Sequence, residues 1–139
     1  PRAANRIREF GFEGSFDFAP QVRSLDFTHP LIHCVPPLGY LDFLCLMSHA
    51  SLVLTDSGGI QEETTVLGVP CVTLRENTER PLTVRSGTNA LAGTRKEDIL
   101  RFAGEKLRES RKTAVPKYWD GQAGARIIGV LAREVSDLN

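Results

Sequence analysis

The apolar run Leu52-Val53-Leu54 is short and β-rich, and after the polar segment Asp56-Ser57-Gly58-Gly59 the residues Ile60 to Leu67 are helix-compatible. Gly68-Val69-Pro70 stops that helix, so strands are predicted at 51–55 and 70–74 with one helix between them. Upstream, Leu31 to Val35 reads as a strand ended by Pro36-Pro37, and a helix is predicted over about 39–49. That helix carries Leu41, Leu44, Cys45 and Ser48 on one stripe and Tyr40, Phe43 and Met47 on another, so it is apolar on two sides. Downstream, Asn89 to Ala92 predicts a short strand, and Lys96 to Arg108 an amphipathic helix with Ile99, Leu100, Ala103 and Leu107 inward. Asp120 caps a last helix through Ile127, Ile128 and Leu131. Residues 5–10 predict a short helix, and 11–30 an irregular stretch.

Strands alternating with helices predict an α/β, Rossmann-like three-layer sandwich: a mainly parallel sheet, covered on both faces, with right-handed crossovers. Ligands in such folds bind beyond the carboxyl ends of the strands. The segments 36–40, 56–59 and 75–80 each follow a predicted strand, so all three are expected at one edge.

The chain has 139 residues, the length of a single domain. Seventeen basic and 17 acidic residues cancel, which argues against nucleic acid or an anionic membrane as partner and makes any anion site a local one. Cys34, Cys45 and Cys71 lack C-x-x-C spacing and lie in apolar surroundings. They read as buried thiols of a reducing, cytoplasmic compartment, with no metal site expected. No apolar stretch reaches the roughly 18 residues of a membrane span, and no signal peptide is recognisable. The chain starts at Pro1 in a basic helical pattern without an initiator methionine, which predicts half of a longer protein.

Two glycines in the first turn of a helix each cost about 1 kcal/mol against alanine in a helix interior, which makes sense where a ligand approaches the backbone closely. The N–H groups of that turn lack intrahelical partners and sit at the positive end of the helix dipole, so Ser57, Gly58 and Gly59 are candidates to cradle phosphate. A plain helix start is the competing explanation. Against it, neither Asp56 nor Ser57 is followed three residues on by the Glu or Gln of a capping box. Arg80, just before Pro81, offers a planar fork of donors for the same charge; Arg75 is a weaker candidate that can instead pair with Glu76 or Glu79. Glu63 is placed to accept both hydroxyls of a ribose or simply to complement the helix start, while Gln61 and Glu62 point elsewhere around the helix. Phe43 either stacks on a base or packs inward. His29, His33 and His49 read as ordinary structural histidines.

The run Leu54 to Glu63, followed by Gly68-Val69-Pro70, Leu74-Arg75 and Thr78-Glu79-Arg80-Pro81, resembles the UDP-N-acetylglucosamine 2-epimerases. The resemblance extends to Pro36 to Phe43, to Gly87-Thr88-Asn89, and to Asp120-Gly121-Gln122-Ala123 with Arg126-Ile127. It covers most of the chain from about residue 31; residues 11–30 fall outside it, and Trp119 stands where the family has glycine. The resemblance implies a two-domain fold of the glycosyltransferase-B type, with this chain as its carboxyl-terminal, UDP-holding domain. It implies anti elimination of UDP from UDP-N-acetylglucosamine and re-addition to give UDP-N-acetylmannosamine, without a cofactor, in an enzyme commonly dimeric. By motif, Ser57, Gly58 and Gly59 bind diphosphate, Glu63 ribose, Arg80 the phosphate region, and Leu38 and Phe43 the uracil neighbourhood. The family's acid and base carboxylates belong to the other domain, so no catalytic residue is expected here. A nucleotide-sugar glycosyltransferase half and a stand-alone UDP-sugar-binding module are the alternatives.

Overall fold

A computed structural model describes residues 2–12, 16–18, 32–109 and 116–136. In chain order the elements are α1 (Arg2–Glu9), β1 (Phe16–Phe18), β2 (Ile32–Cys34), α2 (Tyr40–His49), β3 (Val53–Thr55), α3 (Gly58–Leu67), β4 (Cys71–Thr73), α4 (Pro81–Arg85), β5 (Asn89–Leu91), α5 (Lys96–Arg108) and α6 (Ala123–Ser136). The chain groups into two compact units, Pro1–Phe43 and Leu44–Asn139.

The expected parallel pairing is present, divided between two sheets. One holds β1 and β2, with Phe16 opposite Ile32 and Phe18 opposite Cys34. The other has the order β3-β4-β5, all parallel, with Thr55 opposite Thr73 and Thr73 opposite Leu91. β1 corrects the irregular reading of 11–30. A three-residue strand flanked by Gly, Pro and Asp is too short for periodicity to reveal, and its pairing with β2 is non-local.

The second unit is built around β4, whose three residues are all buried. A strand buried on both faces is what a central position in a covered parallel sheet requires. α3 runs between β3 and β4 and ends at Gly68, whose φ of 69° is the left-handed conformation that glycine adopts without a Cβ penalty. The Val69 N–H then donates back to the Thr64 carbonyl at 2.9 Å. Around Val69, Cys71, Val72, Met47 and Ala92 the core contains many polar side chains, among them Gln61, Thr64, Thr65, Thr73, Thr83 and Asn89. Burying these costs free energy unless each is hydrogen-bonded, so they have to form a network.

Gly87, between α4 and β5, is the tightest point of this packing. A Cβ there would lie 2.5 Å from Thr65 Oγ1 and 2.5 Å from the Thr83 carbonyl oxygen. Because one obstacle is backbone, Gly87→Ala is expected to destabilise the chain by about 2 kcal/mol, read as a lower denaturation midpoint at unchanged slope.

Three expectations about packing are corrected. On α5, Leu100 and Leu107 are exposed, while Lys106 is buried and its Nζ donates to both Glu109 carboxylate oxygens at 3.0 and 2.9 Å. The apolar stripe is wider than the buried face, and the aliphatic stem of Lys106 covers core surface while its head finds a carboxylate. Of the three cysteines only Cys71 is buried; Cys34 is half-buried and Cys45 exposed, because Cys45 lies on the outer side of α2. Burial pushes the Cys71 thiol up. Asp120 acts three residues before α6 begins: its carboxylate accepts the Gln122 N–H at 3.1 Å and pairs with Arg126 at 2.8 Å. The Arg126 guanidinium, followed by that backbone bond, holds the Asp120 carboxyl well below the usual carboxylate range. Along α6, Ile127, Ile128, Val130 and Leu131 are all exposed.

Candidate functional site

β3 and β4 are adjacent and parallel, so the segments after them emerge side by side at the same end of the sheet. The first is Asp56 to Gly59. The Ser57 N–H donates to Thr55 Oγ1 at 3.0 Å, and Ser57 then occupies the cap position of α3 with extended backbone, φ −83° and ψ 131°. Its hydroxyl makes no capping bond. Gly58 and Gly59 are the first two helical residues, and neither N–H is taken by an acceptor among the described residues.

Neither glycine is there for its conformation. Positive φ occurs at Gly11, Gly68, Gly93 and Gly121 but not at these two. A Cβ on Gly59 would find nothing closer than Ser57 Oγ at 4.0 Å, and one on Gly58 would meet only the flexible end of Glu79 at 3.0 Å. Neither residue carries a side chain of its own to cover the donor groups of the helix start, and the group nearest Gly58 is the end of the exposed, flexible Glu79 side chain.

The second segment runs from Leu74 to Arg80. Arg75 pairs with Glu79 at 3.6 Å, one of the two partners foreseen for it. Arg80 sits at the cap position of α4, ahead of Pro81, and its Nε meets Glu62 on α3 at 3.2 Å. That exposed pair contributes little energy but locates the guanidinium against Glu62, the fifth residue of α3. Glu63 is half-buried on the same helix.

The structure therefore brings Ser57, Gly58, Gly59, Glu63 and Arg80 together around α3. Leu38 and Phe43 belong to the first unit; both are half-buried, Leu38 ahead of α2 and Phe43 in its first turn with its N–H donating to the Gly39 carbonyl at 2.9 Å. The segment 36–40 follows β2, in the other sheet.

Two features escape a reading of the sequence. Glu62, set aside on helical periodicity, holds Arg80. Gln61 is fully buried, and its Oε1 accepts from Thr78 Oγ1 at 2.7 Å and Asn89 Nδ2 at 3.2 Å. These partners are 17 and 28 residues away, beyond the reach of any local pattern. No group of three or more metal-ligating side chains is present among the described residues, and no helix among them is long and apolar enough to cross a membrane.

A family model described as UDP-N-acetylglucosamine 2-epimerase matches residues 16–132. The chain belongs to the UDP-N-acetylglucosamine 2-epimerase family. Among its epimerase relatives, the UDP-N-acetylglucosamine 2-epimerase of Methanococcus maripaludis is 42% identical over 134 residues, 96% of this chain and 34% of that protein. The enzyme of the same name from Methanocaldococcus jannaschii is 42% identical over 131 residues, 94% of this chain and 33% of that protein. The crystal structure of the Methanocaldococcus jannaschii UDP-GlcNAc 2-epimerase in complex with UDP-GlcNAc and UDP superposes with a TM-score of 0.68 at 40% identity, over 96% of this chain and 34% of that one. The chain thus spans about a third of the length of the curated relatives it matches, and its fold is that of the matching third of these glycosyltransferase-B-type epimerases.

Proposed function

We propose that the chain is the UDP-holding domain of an enzyme that interconverts UDP-N-acetylglucosamine and UDP-N-acetylmannosamine. The observation that carries this reading is the opening turn of α3, where two glycines required by neither backbone conformation nor packing leave unpaired N–H groups accessible beside Arg80. Ser57, Gly58 and Gly59 hold the diphosphate, Arg80 adds a charged fork, Glu63 takes the ribose hydroxyls, and Leu38 and Phe43 border the uracil.

In the reaction, the bond from C1 of the sugar to the diphosphate oxygen breaks as C2 loses its proton, giving 2-acetamidoglucal and UDP. UDP then adds back while C2 is reprotonated on the opposite face. Negative charge grows on the leaving diphosphate, so donors already aimed at it stabilise the transition state as well as the bound substrate. The carboxylates that move the C2 proton lie outside this chain, which binds UDP without turning over the sugar nucleotide. We place the enzyme in the cytoplasm as a homodimer, supplying cell-surface polysaccharide synthesis.

Calorimetric titration with UDP, UDP-N-acetylglucosamine and UMP tests the reading. Both diphosphates are expected to bind more tightly than UMP, and Arg80→Ala to weaken UDP by about 2 kcal/mol, the magnitude of a charge-assisted hydrogen bond. Equal affinity for UMP and UDP removes the diphosphate from the assignment.

A further inference from the structure

The main chain of Arg80 is held at both of its polar groups. Its N–H donates to Thr78 Oγ1 at 3.0 Å, and its carbonyl accepts from Thr83 Oγ1 at 2.8 Å. Neither hydroxyl is free to turn away. The Thr78 hydroxyl hydrogen is donated to Gln61 Oε1 at 2.7 Å, which leaves only its lone pairs for Arg80. The Thr83 hydroxyl hydrogen goes to the Arg80 carbonyl, so Thr83 has to accept from Asn89 Nδ2 at 3.2 Å.

This fixes the orientation of both buried amides. Asn89 presents nitrogen to Thr83 and Gln61, and its Oδ1 accepts from Thr73 Oγ1 at 2.8 Å. Gln61 consequently presents oxygen to Asn89 and Thr78, which leaves its Nε2 without a partner among the described residues. Leaving one buried donor unmatched is costly, so the arrangement of the other bonds outweighs it. The network joins β4, β5, α3 and α4 to the loop, and its hub is three residues beyond Gly58 on the helix whose start is assigned above to the diphosphate.

We infer that Gln61, Thr78, Thr83 and Asn89 are positioning residues that hold Arg80 at the amino end of α3. Resting on the diphosphate reading given above, the inference explains how one arginine on an exposed loop can meet a ligand without first being ordered. A loop already ordered in the free chain loses less conformational freedom on binding. The exposed pair with Glu62 locates the side chain, and the buried network locates the backbone that carries it.

A double-mutant cycle in the full chain tests this, with UDP titration as the readout and thermal unfolding as the control. Thr78 is half-buried and touches Arg80 directly, so it is the position to change. Thr78→Val keeps the shape and removes the hydroxyl; it is expected to weaken UDP about tenfold, while Thr78→Ser stays within about twofold of the unsubstituted chain. In the Arg80→Ala background, Thr78→Val is expected to change affinity by less than about twofold, because the group it positions is gone. Thr78→Ala, which leaves space where valine leaves a methyl group, has to give the same coupling. Equal losses in both backgrounds, or a lowered unfolding midpoint with unchanged affinity, overturn the inference while leaving the diphosphate reading intact. Failure of the unsubstituted chain to bind UDP overturns both.

Discussion

Replacing Gly58 and Gly59 together by alanine is expected to leave the chain folded and to weaken UDP by about 3 kcal/mol, more than a hundredfold, through the loss of two charge-assisted amide bonds. The two effects separate because the glycines are not needed for folding. Neither has a positive φ, the nearest neighbour of a Cβ on Gly59 is 4.0 Å away, and Glu79 can move from Gly58 by rotating an exposed side chain. Alanine is a better helix former than glycine by up to about 1 kcal/mol per residue, so the unfolding midpoint should hold or rise. A ligand drawn close to the backbone meets two methyl groups instead of open N–H groups. Unfolding followed by circular dichroism and affinity followed by calorimetry read the two effects independently. Full UDP affinity in this variant, with its stability unchanged, sinks the placement of the diphosphate at α3.

Glu79 gives that experiment a further use. Its carboxylate already lies against Gly58, where the helix dipole favours a negative charge, and Arg75 steadies it from the other side. The free chain therefore keeps an acidic group of its own at the turn assigned to the phosphates. Glu62 likewise engages Arg80. With this local surplus of carboxylates, the proposed diphosphate would be held through aimed donors rather than through a basic field, which accords with a chain whose net charge is zero.

Features set by neighbouring residues were legible in the sequence. The limits of α5 coincide with the expected Lys96 to Arg108. The end of α3 was marked by Gly68, because only a residue at ease with positive φ closes a helix in that way. The free hydroxyl of Ser57 followed from the absence of a capping box. Features that depend on residues far apart were hidden. β1 is too short to carry a pattern and pairs with a strand well downstream. The buried face of α5 is rotated from Leu100 and Leu107 toward Lys106, a choice made by the packing against β4 and by the carboxylate of Glu109. Gln61 lies buried, and its role at the centre of a polar core follows only once Thr78 and Asn89 are beside it.

Asn89 is the residue whose loss should cost the fold most. Its amide serves as acceptor to Thr73 and donor to both Gln61 and Thr83, so no apolar side chain of similar size can replace it. Asn89→Leu leaves the buried Thr73 hydroxyl without an acceptor and removes a donor from Gln61 and from Thr83; at about 1 to 3 kcal/mol for each group left unmatched, the expected destabilisation is about 4 kcal/mol. Asn89→Asp distinguishes lost shape from lost donors. The ionised carboxylate would face the oxygens of Gln61 and Thr83 in a buried site, so its pKa in the folded chain has to rise above the unfolded value of about 3.9. The protonated acid recovers one donor and carries no charge. Relative to the unsubstituted chain, the Asp variant is therefore expected to be least impaired below about pH 4 and to lose stability progressively as the pH rises through its elevated folded pKa. Asn89→Leu should show no such dependence. Denaturant unfolding of the three chains between pH 4 and 7 measures the difference, and a parallel, pH-independent deficit in both variants would show that Asn89 fills space rather than directs the network.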